Sequence, residues 1–169
     1  MRVDADDFAR PCSCGREHHI DVREIVIESG AIGKLEKEMS DGDLKEYISP
    51  LLICDTNSYK ATEELMEDIY DRCQVLILDA EGLEADERAV EIVENYMEED
   101  IDLVLAVGAG TIHDLSRFVA HQYRLPFVSV PTAASSDGFT STVADMTWNG
   151  VKRVFQASAP LFVFADTDI

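Results

Sequence analysis

The fold turns on IDLVLAVGAGTIHD, Ile101–Asp114. Its first half, Ile101–Gly108, is apolar apart from Asp102 and shows no polar/apolar alternation. That is the pattern of a strand buried on both faces inside a parallel sheet. The run ends in Gly108, and Gly110 follows one residue later, so the backbone can pass close to another group with no Cβ in the way. From about Thr111 the period becomes helical, with Leu115, Phe118 and Val119 on one stripe. A helix that opens at such a turn presents unpaired N–H groups and the positive end of its dipole, which suits a phosphate or pyrophosphate. A tight strand-to-helix turn that binds nothing has the same local sequence.

The same alternation runs outward in both directions. Val22–Ser29, Ile48–Asp55, QVLILDA (Gln74–Ala80), PFVSV (Pro126–Val130) and Pro160–Asp166 read as further strands. Helices are expected between them: IGKLEKEM behind Gly30 and Gly33, Asn57–Arg72 with Leu65, Ile69 and Tyr70 inward, and Ala85–Asp100 with Val90, Val93 and Met97 inward. Two shorter pieces, TVADMTW and KRVFQAS, precede the last strand. Strands alternating with helices give βαβ units, hence an α/β fold with a Rossmann-like, mostly parallel sheet and helices on both faces. The α/β domain is assigned to residues 21–169 and an N-terminal extension to residues 1–20. Ligands of such sheets bind at the carboxyl ends of the strands.

Two more strand ends carry chemistry. Asp55 closes LLICD, where a carboxylate can accept from a ribose diol and would repel a 2′-phosphate; it can equally cap the helix that follows. VPTAASSDGFTSTV, Val130–Val143, is a long run of small hydroxylated residues in which only Asp137 is charged and only Phe139 is bulky. Thr132, Ser135, Ser136, Thr140 and Ser141 can donate to phosphates, ribose and amides, and Asp137 can accept from a substrate hydroxyl. The alternative is a surface loop of turn formers.

The chain has 169 residues, 34 of them acidic against 14 basic, for a formal net charge of -20. Nucleic acid and anionic membranes call for clustered Lys and Arg, so neither is expected as a partner. A strongly solvated surface, a salt-adapted source or a basic protein partner would all fit. No signal core and no run of roughly 20 apolar residues is present, and a cytoplasmic location is expected. The four cysteines do not read as a disulfide framework. Cys54 reads as core and Cys73 as core or strand edge. Cys12, Cys14, His18 and His19 fall in CSCGREHH, which is either the start of a zinc site or a plain hairpin or flap. His121 reads as a helix-surface residue and Trp148 as a core cap or a neighbour of the ligand.

Gly108-Ala109-Gly110-Thr111-Ile112-His113-Asp114 and Pro131-Thr132-Ala133-Ala134-Ser135-Ser136-Asp137-Gly138, in this order and spacing, resemble the sn-glycerol-1-phosphate dehydrogenases. These form part of the larger group that holds glycerol dehydrogenase, the iron-containing alcohol dehydrogenases and 3-dehydroquinate synthase. The stretch IVIESGAIGKLEKEM is also similar to the start of these proteins, and the resemblance extends from about Ile20 to Ile169. It implies an NAD(P)-dependent oxidoreductase that interconverts dihydroxyacetone phosphate and glycerol 1-phosphate, a small phosphate substrate. It further implies that Asp55 holds the adenosine ribose, that Gly108, Gly110, Thr111, Ile112, His113 and Asp114 line the pyrophosphate turn, that Thr132, Ser135 and Ser141 contact the dinucleotide further along, and that Asp137 reaches the substrate.

Ala109 stands where the group carries a central glycine. In the family a helical domain follows and supplies an Asp and two His for a divalent metal, usually zinc, sometimes iron or nickel. Those ligands are not found in these residues, so the chain reads as the cofactor half of a two-domain enzyme, inactive alone. Gly138 stands where glycerol dehydrogenases carry Ala in S-x-D-A-P, which favours the phosphate branch. A glycerol dehydrogenase-like domain and a non-catalytic nucleotide- or zinc-binding module are the competing readings. A homo-oligomer is admitted by the open sheet edge.

Overall fold

The computed structural model describes residues 1–4, 6, 11–18 and 20–169. Its centre is a seven-stranded sheet in the order β1-β2-β9-β6-β5-β3-β4, with a separate hairpin β7-β8. The strands are β1 Arg2–Asp4, β2 Glu24–Glu28, β3 Pro50–Asp55, β4 Gln74–Leu78, β5 Leu103–Gly108, β6 Phe127–Pro131, β7 Val143–Trp148, β8 Val151–Gln156 and β9 Phe162–Asp166. The helices are α1 Ala31–Ser40, α2 Thr56–Thr62, α3 Glu67–Tyr70, α4 Glu87–Tyr96 and α5 Gly110–Tyr123. Every pairing in the large sheet is parallel except β1 with β2.

The strand expected to be buried on both faces is so. All six residues of β5 are buried, as are all five of β6. Two apolar layers sandwich the sheet. One gathers Leu35, Met66 and Ile69 of α1 to α3 against Leu52, Leu105 and Val128; the other gathers Val90, Val93, Leu115 and Val119 of α4 and α5 against Leu51, Val104 and Phe127. Each layer takes alternate residues of the same strands, as a period of two requires. Trp148 completes the second layer in an aromatic cluster with Phe118 and Phe155.

The helix expected over Asn57–Arg72 is interrupted. α2 stops at Thr62 and α3 resumes at Glu67. Thr62 is buried and turns its hydroxyl back onto the Ser58 carbonyl at 2.7 Å, a bond that bends helices. The break rotates Met66 into the core at 0% exposure and leaves Leu65, the expected inward residue, at 40%. α4 likewise ends at Tyr96 and not at Asp100, and β1 is a strand for which the apolar pattern gave no sign.

A remote carboxylate starts α1. Gly30 adopts a left-handed backbone with φ 77 and supplies no cap. Asp166, at the end of the neighbouring β9, accepts instead from Gly30 N at 3.1 Å, Ile32 N at 3.0 Å and Asp168 N at 3.1 Å. Asp166→Ala should orphan these donors and lower unfolding stability by roughly 2 kcal/mol in a denaturant titration. An unchanged midpoint would remove this role.

Candidate functional site

Connections from β3 and β5 leave for opposite faces of the sheet. β3 leads through α2 and α3 to β4 on one side, and β5 leads through α5 to β6 on the other. The two strands are adjacent, with Cys54 opposite Val107, so Asp55 and Gly108 end side by side at the switch point. A crevice opens at such a point because neither connection crosses it.

The helices that begin along this edge differ in one respect. Asp55 caps α2: its Oδ1 accepts from Asn57 N at 2.8 Å and Ser58 N at 2.9 Å, while Ser58 Oγ accepts from Asp55 N at 2.9 Å. Asp86 caps α4 in the same manner, through Arg88 N and Ala89 N. α5 begins at Ala109 with no side-chain cap and no acidic residue in its first turn. Its leading N–H groups are therefore free for an acceptor that the protein itself does not provide.

The glycines at this turn do different things. A Cβ on Gly108 would stand 2.7 Å from Ile112 Cγ1, so Gly108 is required by the packing of the first helical turn. A Cβ on Gly110 would meet only Ser136, at 3.4 Å, so Gly110 keeps the gap between the turn and the loop after β6 open. The side chains of Ile112 and His113 are buried, and only their main chain can face a ligand.

His113 is a strut of this turn. Its Nδ1 donates to the Ala109 carbonyl at 2.9 Å, and its Nε2 accepts from Ser129 Oγ at 2.7 Å. Burial is the main cause that pushes its pKa down from 6.5 to about 4. The ring is therefore neutral in the fold, whereas the unfolded chain takes up a proton below pH 6.5. Stability from this group is full above pH 6.5 and is lost as pH falls toward 4. The loss is of the order of 3 kcal/mol. In His113→Asn the chain should be less stable at neutral pH but should lack this acid-side slope; an unchanged slope in pH-dependent denaturation would contradict the assignment.

Arg117 is the residue that the sequence pattern concealed. It sits inside the apolar stripe of α5 at 1% exposure. It pairs with Asp114 at 3.1 Å and donates to Val143 O at 2.9 Å and Gly138 O at 2.5 Å, with its guanidinium 5.6 Å from the Phe127 ring centre. Burial lowers the pKa of Arg117 and raises that of Asp114, and each opposes the shift of the other through its charge. An Arg flanked by Leu115, Ser116, Phe118 and Val119 was the available signal. Its partners are loop carbonyls, which residue type does not reveal.

The loop after β6 is thereby held over α5. Thr132 N donates to the Gly108 carbonyl at 3.0 Å, and the Phe139 ring meets the His113 ring edge-on at 4.7 Å. Its one bulky residue is an anchor. Ser136 Oγ accepts from Gly138 N and Ser141 Oγ from Val143 N, while Ser135 and Asp137 are exposed. Beyond the loop lies a cleft of about 460 Å³, floored by Ile25, Ile27, Val163 and Ala165 and rimmed by Thr132, Ser136 and Asp137. The other face of β2 and β9 packs beneath α1 through Val26, Phe162 and Phe164. Ser135, Ser141 and Asp55 do not border this cleft.

The remaining candidates lie elsewhere. Burial raises the thiols of Cys54 and Cys73 to about 12, so both are protonated at neutral pH. His121 is at the surface, 2.9 Å from Ser158 Oγ. Cys12, Cys14 and His18 come together in the stretch between β1 and β2, and His19 lies outside the described residues.

These features define a class: a doubly wound α/β domain with an uncapped, glycine-flanked helix start at its switch point. The chain belongs to the iron-containing alcohol dehydrogenase family, whose family model matches residues 26–169. It is 37% identical over 169 residues to a glycerol-1-phosphate dehydrogenase (NAD(P)+) of Geobacillus thermodenitrificans, covering 96% of this chain and 41% of that protein. A protein of the same name from Methanosarcina barkeri is 40% identical over 83 residues, 49% of this chain and 23% of its own. The chain thus spans about two fifths of the first of these relatives. Among solved structures, an iron-containing alcohol dehydrogenase from Thermotoga maritima superposes with a TM-score of 0.74 at 20% identity, over 90% of this chain and 48% of that one. A glycerol dehydrogenase from Schizosaccharomyces pombe gives 0.68 at 22%, over 85% and 36%. At these identities the structures speak for the fold alone. No described helix is long and apolar enough to cross a membrane.

Arg117→Met should lower stability by roughly 3 kcal/mol, because it strands Asp114 and two carbonyls. It should also speed amide exchange across residues 136–143. Slow exchange retained there would show that the loop is held by something else.

Proposed function

We propose that this chain is the NAD(P)-binding half of a glycerol-1-phosphate dehydrogenase, the full enzyme reducing dihydroxyacetone phosphate with NAD(P)H. One observation carries the reading: the start of α5 at the switch point, flanked by Gly108 and Gly110, lacks the carboxylate that caps α2 and α4. A dinucleotide pyrophosphate is an acceptor of suitable charge, and it would meet the main-chain N–H groups of Gly110, Thr111 and Ile112. The side chains of Ile112 and His113 support this turn from below. Asp114 acts through its ion pair with Arg117 and so positions the loop.

Asp55 can cap and bind at once. Its Oδ1 takes both helix N–H groups, and Oδ2 is left for the adenosine ribose hydroxyls. Thr132, Ser135 and Ser141 supply hydroxyls along the loop. Asp137, on the cleft rim, is the group offered to the substrate. Bound NAD(P)H would supply hydride to the carbonyl carbon, and a proton from solvent or an acid would go to its oxygen. A cleft of about 460 Å³ lies within the usual range for small-molecule sites.

The residues of this cleft do not make up a metal-ligand set. Asp137 is its free carboxylate, and Asp166 is already engaged at α1. No step is therefore routed through a metal. Gly138, and relatives bearing the glycerol-1-phosphate dehydrogenase name, favour the phosphate substrate over glycerol.

Titration of the chain with NADH, followed by energy transfer from Trp148, should saturate. Asp55→Ala should weaken binding by roughly tenfold, about one charged hydrogen bond, and Gly110→Val should abolish it by filling the gap to Ser136. Equal binding by Gly110→Val would exclude this turn as the site.

A further inference from the structure

We infer that Cys12, Cys14 and His18 form a zinc-binding site in the segment that joins β1 to β2. Their ligand atoms lie within 4.8 Å of one another, and Cys14 Sγ is already 3.1 Å from His18 Nε2. A tetrahedral zinc with S and N ligands separates them by roughly 3.4–3.8 Å, given bond lengths of about 2.1–2.3 Å. Closure onto an ion therefore takes side-chain movements on the order of an ångström.

The backbone is arranged for two thiolates. Gly15 N donates to the Cys12 carbonyl at 3.0 Å, which closes a tight turn, and Gly15 itself has φ 77. That backbone is left-handed and favours glycine. Cys14 N points at Cys12 Sγ at 3.5 Å, the N–H···S contact that steadies a thiolate. The third group, His18, returns four residues later in C-S-C-G-R-E-H. Two thiolates and an imidazole select zinc over the hard cations that the acidic surface would otherwise attract. Three protein ligands leave a fourth position for water or another side chain.

This site is separate from the dinucleotide turn. β1 runs antiparallel to β2 with Asp4 opposite Glu24, so the chain leaves β1 beside the amino end of β2, while Gly108 of the glycine turn closes β5 at its carboxyl end. Its role is structural. β1 has three residues, pairs with β2 alone among the described strands, and follows no apolar pattern. A metal held by Cys12, Cys14 and His18 would cross-link the chain between β1 and β2 and so lower the entropy lost when β1 pairs.

The test is a titration of the whole chain, under reducing conditions, with zinc by calorimetry and with cobalt by absorbance. The expected result is one ion per chain, with thiolate-to-cobalt charge transfer and tetrahedral d–d bands. Both signals should vanish in Cys12→Ser and Cys14→Ser and persist in Cys73→Ser. His18→Asn should weaken zinc at least roughly tenfold. Cys14 and His18 are exposed and Cys12 is half-buried outside the two apolar layers, so these variants should keep the circular dichroism of the parent. No binding at micromolar zinc, cobalt spectra without charge transfer, or binding indifferent to the Cys12 and Cys14 substitutions would each overturn the site. NADH binding is read separately and should be unaffected by any of these variants.

Discussion

A helix that starts at the edge of a sheet starts with N–H groups that need an acceptor. Along this edge the requirement is met by Asp166 for α1, Asp55 for α2 and Asp86 for α4, each within hydrogen-bond distance of two main-chain N–H groups. At α5 it is not met, although α5 is the longest helix among the described residues and lies against the two most deeply buried strands. The rest of the site follows from that exception. Gly108 makes room for Ile112 in the first turn, Gly110 leaves space for Ser136 beside it, and Arg117, Phe139 and Thr132 hold the loop after β6 in place over α5.

The buried His113 and Arg117 and the half-buried Asp114 of α5 tie the turn and the loop to this helix. His113, Arg117 and Asp114 face the turn or the loop, and each is held by carbonyls, a hydroxyl or its ion-pair partner. Burying such groups is costly unless they are bonded, so they fix one register of loop on helix and disfavour others. Main-chain N–H groups fixed in a helix start favour binding because they need no reordering when a ligand arrives.

Much of this was legible in the sequence. The alternation of apolar runs and amphipathic runs gave the parallel sheet, since β5 and β6 carry no polar face to confuse the period. The glycine turn and the hydroxyl-rich loop stood out by composition. The break after Thr62 was not legible, because the acidic and apolar spacing runs on through it and a Thr hydroxyl bonded to its own helix carbonyl leaves no mark in that spacing. Nor was the role of Arg117 or Asp166. Both act through main-chain groups distant in sequence, and residue type carries no trace of such partners. Asp55 had two readings from sequence; its two oxygens allow the structural one to be seen directly and leave the other available.

The most direct measurement is an amide chemical-shift titration of the chain with NADH. The account predicts that Gly110, Thr111 and Ile112 shift first and most, with Asp55 and Asn57 following, while β1 and the Cys12–His18 segment stay still. Shifts confined to the β2–β9 cleft, or none near the start of α5, would contradict the claim that this uncapped helix end is the dinucleotide site.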